Sequence, residues 1–340
     1  MKVVVTGGGG YIGSVLIPML LERRYEVICL DRFFFGREPL AGVLSDPNLQ
    51  VVKDDIRWFN PKILKGVDAV FDLAALSNDP SGELDPSKTL DINYLGRYRV
   101  ARLSKEYGVK KYVLASSCSI YGFRDDVILN EVSPPNPLTT YAKANFMAEK
   151  DTLSLSDDAF TVTALRQATV YGLSPRMRFD LAVNAMALGL FKNNRIPVMR
   201  NGDQWRPFVH VRDTSKAFIL ILESDSEDIN GQIFNVGSNK QNYQIAPLAR
   251  TLGEALTSGF DLEWYGSPDN RSYKVNFDKI EEKLGYSATF SPTEGALEIF
   301  DSLKEGKVVD SIKTRTVEWY KYLLSSQALL EDIMIRNAVL

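Results

Sequence analysis

The sequence predicts an α/β fold, with a doubly wound parallel sheet in the first half of the chain and a smaller mixed α/β lobe in the second half. Short β-branched runs alternate with helical patterns up to about residue 172, and these runs are apolar along their whole length. Strands of that kind are typical of a parallel sheet covered by helices on both faces. Beyond residue 172 the pattern is less regular. We therefore expect domains at 1–172 and 173–340, interwoven and without a flexible linker.

The individual elements follow from local patterns of apolar residues. A helix is predicted over residues 11–23, directly after the first strand, and the amphipathic tail at 314–340 is interpreted as a packed terminal helix in preference to a lid or a subunit contact. The other helices are predicted at residues 181–190, 246–257 and 293–304. The strands are predicted at residues 2–6, 27–30, 51–52, 69–71, 112–115, 162–165, 208–209 and 232–236.

Composition excludes several classes of protein. A chain of 340 residues with 45% hydrophobic and 24% charged residues is typical of a globular enzyme. Its net charge of −3 gives no field that would attract nucleic acid or an anionic membrane. No apolar run approaches the ~20 residues that span a bilayer. The chain passes directly into a strand, without the apolar segment of a signal peptide, so we expect a cytoplasmic location.

Cysteine and histidine are scarce, which limits the available chemistry. The only cysteines are Cys29 and Cys118, and the only histidine is His210. These residues cannot build a disulfide framework or a thiolate zinc site, and a single histidine cannot build a multi-histidine metal site. We therefore expect no metal, and acid–base chemistry must depend mostly on other groups.

A glycine-rich turn joins the first strand to the first helix. Gly7, Gly10 and Gly13 have the spacing G-x-x-G-x-x-G. A dinucleotide needs such a turn because its pyrophosphate approaches the backbone more closely than a Cβ permits and binds the helix N-terminus. Asp31 ends the second strand, where a carboxylate accepts hydrogen bonds from the ribose 2′-OH of NAD and repels the 2′-phosphate of NADP. Arg32 beside it softens that discrimination, but the pattern favours a Rossmann-type domain that binds NAD.

Further segments follow the glycine turn in a characteristic order. The sequence reads VTGGGGYIGS at 5–14, SSCSIYG at 116–122 and RPFVHVRD at 206–213. Together with segments at 55–56, 73–75, 91–93 and 165–172, these motifs resemble the extended short-chain dehydrogenases/reductases. Within that group the chain is similar to the NAD-dependent sugar epimerase/dehydratase family, and specifically to its UDP-glucose 4-epimerase-like members. The similarity spans about residues 1–300.

The resemblance implies NAD as the cofactor and assigns roles to residues of the first domain. The implied catalytic groups are Tyr141, which removes a proton from a sugar hydroxyl, Ser117, which holds that hydroxyl, and Asn145, which stands at a third catalytic position. The implied cofactor-binding residues are Gly7, Gly10, Tyr11, Ile12, Gly13, Asp31, Asp55, Ile56, Leu73, Ala74, Ala75, Asn93, Ser116, Tyr141 and Asn145.

The chain departs from the family pattern at Asn145, four residues after the tyrosine. The family has a lysine there, which lowers the pKa of the tyrosine and binds the nicotinamide ribose. Lys143 is a poor substitute, because only residues three or four apart share a helix face. We therefore expect weak activity at neutral pH that rises with pH, and a faster Asn145→Lys variant. The alternative is that Asn145 orients a water that does the work of the lysine.

The resemblance also implies that the substrate is a nucleotide-diphosphate sugar. Arginines of the second lobe would bind its phosphates, since a planar guanidinium donates two parallel hydrogen bonds. Arg176 lies on the same loop as Arg178 and is expected to help. The implied substrate-binding residues are Ser77, Ser117, Thr169, Arg178, Asn184, Arg206 and Arg271.

The two residues after Ser117 bear on the reaction type. The 4,6-dehydratases of the family carry an Asp-Glu pair there, whereas Cys118 and Ser119 lack the proton donors that elimination needs. The resemblance thus favours a 4-epimerase, with a 4-keto-sugar reductase as the alternative and a 4,6-dehydratase disfavoured. Asn145 also leaves open a function of another class, in which the protein binds NAD and a nucleotide sugar but is weakly active or inactive.

The helices near 93–107 and 141–153 resemble the family's four-helix interface and predict a homodimer.

Overall fold

The structure, a computed structural model, describes residues 1–123, 127–269 and 271–334. Its strands are β1 Lys2–Thr6, β2 Glu26–Asp31, β3 Leu49–Lys53, β4 Ala69–Asp72, β5 Lys111–Ser117, β6 Ile128–Leu129, β7 Thr161–Gln167, β8 Thr169–Tyr171, β9 Arg195–Met199, β10 Trp205–His210, β11 Gln232–Val236, β12 Asn242–Gln244, β13 Asp261–Tyr265 and β14 Lys274–Val275. Its α-helices are α1 Gly13–Glu22, α2 Asp79–Gly82, α3 Pro86–Leu90, α4 Arg97–Glu106, α5 Thr140–Leu153, α6 Ala182–Asn193, α7 Val211–Glu223, α8 Ser226–Ile229, α9 Ile245–Leu256, α10 Asp278–Leu284, α11 Pro292–Lys304 and α12 Thr316–Ile333.

The described residues form a central parallel sheet with the strand order β3-β2-β1-β4-β5-β7-β11. The first strand lies in the middle of this order, with β2 on one side and β4 on the other. The strand order therefore reverses at β1, and sheets of this kind bind ligands in the crevice outside the carboxyl ends of the strands at that point. The predicted doubly wound parallel sheet is confirmed.

Helices cover both faces of the sheet because its strands are apolar on both faces. Val3 and Val5 of β1 lie in a core formed with α1 and α7, whereas Val4 lies in a second core with α4 and α5. Successive strand residues face opposite sides of a sheet, so both sides need apolar residues. On the first side, the rings of Phe71 and Phe218 pack edge to face with centroids 5.4 Å apart. This two-sided burial explains the continuous apolar runs of the sequence.

The second lobe has its own core but remains joined to the sheet. Helices α6, α9 and α11 pack with β9 and β10 and bury Phe208 and Ile299. The chain returns to the large sheet at β11, which pairs in parallel with β7 along its whole length. The residues after 172 thus contribute both to the lobe and to the sheet. None of the helices in the described part of the chain combines the length and the apolar character that a membrane span needs.

The structure adds features that the sequence did not predict, among them helix α7 and the paired strands β9 and β13. A π-helical turn, Asp91–Gly96, separates α3 from α4, and such turns are frequent at functional sites. The short strands β6 and β14 pair in parallel with each other and so join the first half of the chain to the second. The predicted tail helix is present as α12, and residues 335–340 of that prediction lie outside the described residues.

A buried ion pair fixes α5 against the sheet. The guanidinium Nη2 of Arg166 on β7 lies 2.6 Å from Oε1 of Glu149 on α5, and their side chains are only 3% and 2% exposed. Ser116 of β5 donates a hydrogen bond to the other Glu149 oxygen at 2.8 Å. The three side chains thus tie the helix to two neighbouring strands.

Removal of one partner should destabilise the protein strongly. Arg166→Met would leave the Glu149 carboxylate buried without its counterion, which costs about 3–5 kcal/mol. Arg166→Met/Glu149→Leu is the matched control, because it removes both charges and should recover much of that loss. The free energy of unfolding from urea titration measures both effects. A single variant as stable as the wild type would contradict the structural role of the pair.

Candidate active site

A large cleft lies at the carboxyl ends of β1, β4 and β5, between the sheet and the second lobe. Its volume is about 480 Å³, in the range of pockets that bind cofactors and small substrates. The predicted residues that line it are Gly7, Gly10, Tyr11, Ile12, Gly13, Asp31, Asp55, Ile56, Leu73, Ala74, Ala75, Ser77, Ser116, Ser117, Tyr141, Asn145, Thr169, Arg176, Arg178, Arg206 and Arg271.

At one end of the cleft, the glycine turn exposes backbone that carries no side chains. Gly7 has a φ of +67°, and a Cβ on it would lie 2.9 Å from the Cα of Ala74. A Cβ on Gly13 would lie 2.6 Å from the Cα of Gly8. Both positions therefore require glycine. The turn leads directly into α1, whose N-terminus provides the positive end of a helix dipole for a pyrophosphate.

Asp31 is fixed in place at the end of β2. Its carboxylate accepts hydrogen bonds from the backbone N–H groups of Gly9 at 3.0 Å and Phe33 at 2.5 Å. Burial raises the pKa of Asp31, and the two backbone hydrogen bonds oppose that rise. The Arg32 guanidinium donates to Asp55 at 2.9 Å. Because Arg32 is engaged by a carboxylate, this end of the cleft favours the 2′-OH of NAD over a 2′-phosphate.

Asp55 carries a fixed negative charge beside Ile56. Arg57 contacts it with Nε at 3.0 Å and with Nη2 at 2.9 Å. Burial alone would raise the pKa of Asp55, but the hydrogen bonds from Arg57 outweigh it and lower the pKa. The carboxylate is therefore ionised at neutral pH and can accept a hydrogen bond from an adenine amino group, as the family resemblance implies.

Arg176 has buried nitrogens that are unpaired. Its guanidinium lies 3.6 Å from the ring centroid of Phe35, and Nη2 donates to the hydroxyl of Thr316 at 3.0 Å. Nε and Nη1 have no hydrogen-bond partner among the described residues. Unpaired buried donors are unfavourable, and pyrophosphate oxygens would satisfy them. The sequence assigned Arg176 to the phosphates of the nucleotide sugar, but the structure places it where its charge acts on Asp31. Together with the glycine turn, it makes a site that fits NAD.

The terminal helix α12 forms a wall of this end of the cleft. Trp319 donates from its indole N–H to the carbonyl of Phe34 at 2.7 Å. The ring of Tyr320 packs against Phe34 and Phe35, with centroids 5.9 and 5.6 Å apart, and lines the cleft. The helix is packed against the protein and also covers the cofactor end.

Ser117 and Tyr141 meet at the floor of the cleft. Ser117 is the last residue of β5, and Tyr141 lies in the first turn of α5, after the N-cap Thr139. The Ser117 side chain lies near the phenol of Tyr141 and acts to lower its pKa. Burial raises the pKa of Tyr141, and the nearby Asp79 carboxylate raises it further. The phenol therefore needs favourable interactions with its ionised form if it is to act as a base near neutral pH.

A buried arginine contacts Asn145. Asn145 donates from Nδ2 to the carbonyl of Tyr141 at 2.9 Å, and its Oδ1 accepts from Nη1 of Arg97 at 2.8 Å. The Arg97 side chain is 1% exposed. Sequence reasoning did not anticipate a cation at this place. Arg97 belongs to α4, and its charge acts to lower the pKa of Tyr141.

Two predicted contact residues do not reach the cleft. The Asn93 amide forms hydrogen bonds with the backbone N–H and C=O of Leu76, at 2.8 and 2.9 Å. The Asn184 amide accepts from the N–H of Gly172 and donates to the Tyr11 hydroxyl and to the carbonyl of Arg178. Both side chains are completely buried, and these bonds use their hydrogen-bonding groups. We therefore correct their assignment: they support the loops that carry cleft residues.

Arg178 and Thr169 line the same cleft as the tyrosine. Arg178 pairs with Asp180 at 2.6 Å and donates to the hydroxyl of Ser77 at 3.0 Å. Its charge acts to lower the pKa of Tyr141. Thr169 begins β8, in the second lobe's part of the lining.

Arg206 and Arg271 converge at the opposite end of the cleft. Asp269 accepts from Nη2 of Arg206 at 2.8 Å and from Nε of Arg271 at 2.8 Å. Arg271 also pairs with Asp79. Two residues from separate parts of the second lobe are thus brought together, as a diphosphate clamp requires, and the carboxylates orient their guanidinium groups.

Cys118 and His210, which could support other chemistry, do not line the cleft, whereas Ser119 does. The Cys118 thiol is buried and donates to the carbonyl of Arg166 at 3.2 Å, and burial raises its pKa well above the usual range. His210 is buried against Phe290, and its Nε2 lies 2.7 Å from Glu298 in the second lobe. Ser119 lines the cleft with a hydroxyl that has no hydrogen-bond partner among the described residues.

Sequence reasoning missed the acidic partners and Arg97. Asp79, Asp180 and Asp269 each orient a cleft arginine. The only local signal was the Asp-x-Arg spacing at 269–271 and the Arg-x-Asp spacing at 178–180, which are common in loops. Arg97 gave no signal, because the surrounding RYRVAR segment reads as an ordinary helix face.

The sheet, the glycine turn and the Ser117–Tyr141 pair define an NAD-binding short-chain dehydrogenase/reductase. Residues 3–237 match the NAD dependent epimerase/dehydratase family, and the chain belongs to this family of enzymes, with NAD as its cofactor.

Named relatives agree with this assignment. A putative UDP-glucose 4-epimerase of Methanocaldococcus jannaschii is 28% identical, over 89% of this chain and 98% of its own. UDP-glucuronic acid decarboxylase 1 of Arabidopsis thaliana is 26% identical, over 87% of this chain and 68% of its own. Among solved structures, MoeE5 in complex with UDP-glucose and NAD is 26% identical, with a TM-score of 0.79 over 91% of this chain and 100% of that chain.

Asp31 should control the preference for NAD over NADP. Asp31→Ala removes the hydrogen bond to the 2′-OH of NAD and the repulsion of the 2′-phosphate of NADP. NAD binding should therefore weaken by roughly 1.5–3 kcal/mol, and the difference in affinity between NAD and NADP should become smaller. Asp31→Asn is the matched control, because it keeps an acceptor for the glycine turn and removes only the charge. Calorimetric dissociation constants for both cofactors measure the effect. An unchanged NAD/NADP ratio in Asp31→Ala would mean that another group reads the 2′ position.

Proposed function

We propose that this protein is a 4-epimerase of a nucleotide-diphosphate sugar. The observation that carries the proposal is the pair of Ser117 and Tyr141, which line the same cleft and in which Ser117 favours the ionised phenol. It lies in one cleft with a dinucleotide-type glycine turn at one end and Arg206 and Arg271 at the other. A putative UDP-glucose 4-epimerase of Methanocaldococcus jannaschii and the UDP-glucose 4-epimerase of Streptococcus mutans, 28% and 27% identical, support it.

The residues divide the chemistry between them. Ser117 orients the sugar 4-hydroxyl, and Tyr141 takes its proton and later returns it. Bound NAD supplies a reversible hydride acceptor for the carbon that carries this hydroxyl. Tyr320 of α12 lines the cofactor end and would exclude water from it. The configuration at the sugar carbon inverts if the keto-sugar turns over before the hydride and the proton are returned to it, while Arg206 and Arg271 keep the diphosphate in place.

Residues near the tyrosine argue against dehydration. Elimination of water needs a proton donor beside the sugar, and the Cys118 thiol is turned away into the sheet. The Asp79 carboxylate is engaged by the hydroxyl of Thr139 at 2.5 Å and by Arg271. Reduction of a 4-keto-sugar is the second candidate, because it uses the same Ser117 and Tyr141.

A screen of nucleotide sugars tests the activity. We expect a UDP-, GDP- or dTDP-sugar to raise the unfolding temperature of the NAD-loaded protein and then to give its 4-epimer, detected by NMR of the product. Tyr141→Phe should keep binding and lose turnover. A reduced, dehydrated or decarboxylated product would contradict 4-epimerisation. Binding without turnover in the wild type at every pH would favour the non-catalytic alternative.

Arg206 and Arg271 should contribute to the binding of the nucleotide sugar and not to the binding of NAD. Arg206→Ala and Arg271→Ala should each raise its dissociation constant at least tenfold, because a charged hydrogen bond to phosphate contributes roughly 1.5–3 kcal/mol. The loss should shrink at high salt, which screens the charges. NAD affinity is the control in each variant. An equal loss of NAD binding would point to misfolding or to a wrongly assigned site.

We infer a homodimer from the exposed face of the helices near the tyrosine. Leu95 and Met147 are apolar and exposed, at 52% and 38%, on the segments that resemble the family's four-helix interface. Leu95→Glu/Met147→Glu should therefore dissociate the protein. Light scattering of the wild type and the variant measures the mass, and a wild-type monomer at all concentrations would contradict the inference.

A further inference from the structure

We propose that Arg97 is a positioning residue for Tyr141, which takes over the role of the lysine that the family carries at position 145. Arg97 acts through its hydrogen bond to Asn145 and through its charge. The inference rests on the proposed acid–base role of Tyr141 and goes beyond it, since it names where the missing charge comes from.

The guanidinium is directed toward neutral acceptors. Nη2 of Arg97 donates to the carbonyl oxygens of Asp72 at 2.9 Å and Ala115 at 2.6 Å, and Nη1 donates to Asn145. Carbonyl dipoles stabilise the cation without cancelling its charge. The charge is therefore available to stabilise a nearby anion, which is the form of Tyr141 that accepts a proton.

Arg97 has no closely paired carboxylate, as a purely structural ion pair would have. The carboxylate of Asp72 is the acidic group nearest to Arg97, but its closest approach, Nε to Oδ2, is 3.9 Å. Its oxygens instead accept from the hydroxyl groups of Thr6 at 2.6 Å and Tyr112 at 2.5 Å. Burial raises the pKa of Asp72. Asp72 thus compensates the arginine only partly.

Asn145 is the residue type that this arrangement requires. A guanidinium offers donors only, so its neighbour must offer an acceptor, and the amide Oδ1 does so at 2.8 Å. The other end of the same amide binds the Tyr141 carbonyl and thereby fixes the first turn of α5. A lysine at this position would bring a second buried cation against Arg97. The charge has moved to position 97, and Asn145 connects it to the helix of the tyrosine.

The other charged groups that face Tyr141 already have close partners. Asp79 from α2 raises the pKa of Tyr141, while Arg97 and Arg178 lower it. Asp79 is paired with Arg271, and Arg178 is paired with Asp180 at 2.6 Å. Of these groups, Arg97 is the one without a carboxylate within hydrogen-bonding distance.

Two variants with opposite expected effects test the proposal. Arg97→Met removes the cation and should move the titration of Tyr141 to higher pH by about one pH unit or more. Asp72→Asn removes the partial counterion and should move it to lower pH. A purely structural role would destabilise both variants without these opposite shifts.

The measurement does not depend on finding the substrate. Ultraviolet difference absorbance of tyrosinate is recorded against pH in the NAD-loaded protein, and the Tyr141→Phe titration is subtracted to isolate Tyr141. Arg97→Lys, which keeps the charge, should stay closer to the wild type than Arg97→Met and controls for folding. Titrations of Tyr141 that coincide in wild type, Arg97→Met and Asp72→Asn would overturn the proposal. The proposed epimerase could fail on product analysis while this result stands.

Position 145 provides a second, independent test. Asn145→Lys alone should lower the denaturant concentration at the unfolding midpoint and should not move the titration of Tyr141 to lower pH. From the sequence, by contrast, this variant is expected to be faster. Arg97→Met/Asn145→Lys should restore the wild-type titration, because one cation is again present. With a known substrate, the pH profile of kcat should follow the same order. A stable Asn145→Lys variant with roughly 10²-fold faster turnover would show that the native enzyme lacks this charge, and would overturn the proposal.

Discussion

The buried guanidinium of Arg97 joins the three elements on which the candidate site depends. It binds the carbonyl of Asp72 at the end of β4, the carbonyl of Ala115 in β5, and Asn145 of α5. A cation buried this completely is tolerated only while such acceptors stay in place. The same contacts therefore hold the strand end that carries Ser117 against the helix that carries Tyr141. Stability and chemistry depend on one set of hydrogen bonds.

Carboxylates orient the cations of the cleft in a similar way. Asp180 pairs with Arg178, Asp269 orients Arg206 and Arg271, and Asp55 pairs with Arg32. Each guanidinium is thereby fixed before a ligand arrives, which lowers the entropy cost of binding. Arg176 differs, because two of its buried nitrogens have no partner among the described residues. A pyrophosphate would contribute most at this unpaired position.

The parts of the site that lie close together in sequence line one cleft, as their predicted roles require. The glycine turn and the ends of β2 and β5 follow buried strands directly, and parallel strands bring their carboxyl ends to one edge of the sheet. Asn93 and Asn184 were misassigned, because a motif gives residue types but not which hydrogen bonds they form. Their amides bind the loops at Leu76 and Gly172 instead.

By itself, the sequence determined the parallel sheet and the dinucleotide turn, because periodicity and glycine geometry are local properties, and Ser117 and Tyr141 were named through the resemblance to a family. Tertiary structure decided which charges act on the tyrosine. Arg97 and Asn145 are 48 positions apart and meet only because α4 and α5 pack side by side on the sheet. Arg271 reaches Asp79 across 192 positions. Pairing of this kind depends on how elements pack. The sequence therefore showed that the lysine is missing at position 145, but not that an arginine contacts the asparagine in its place.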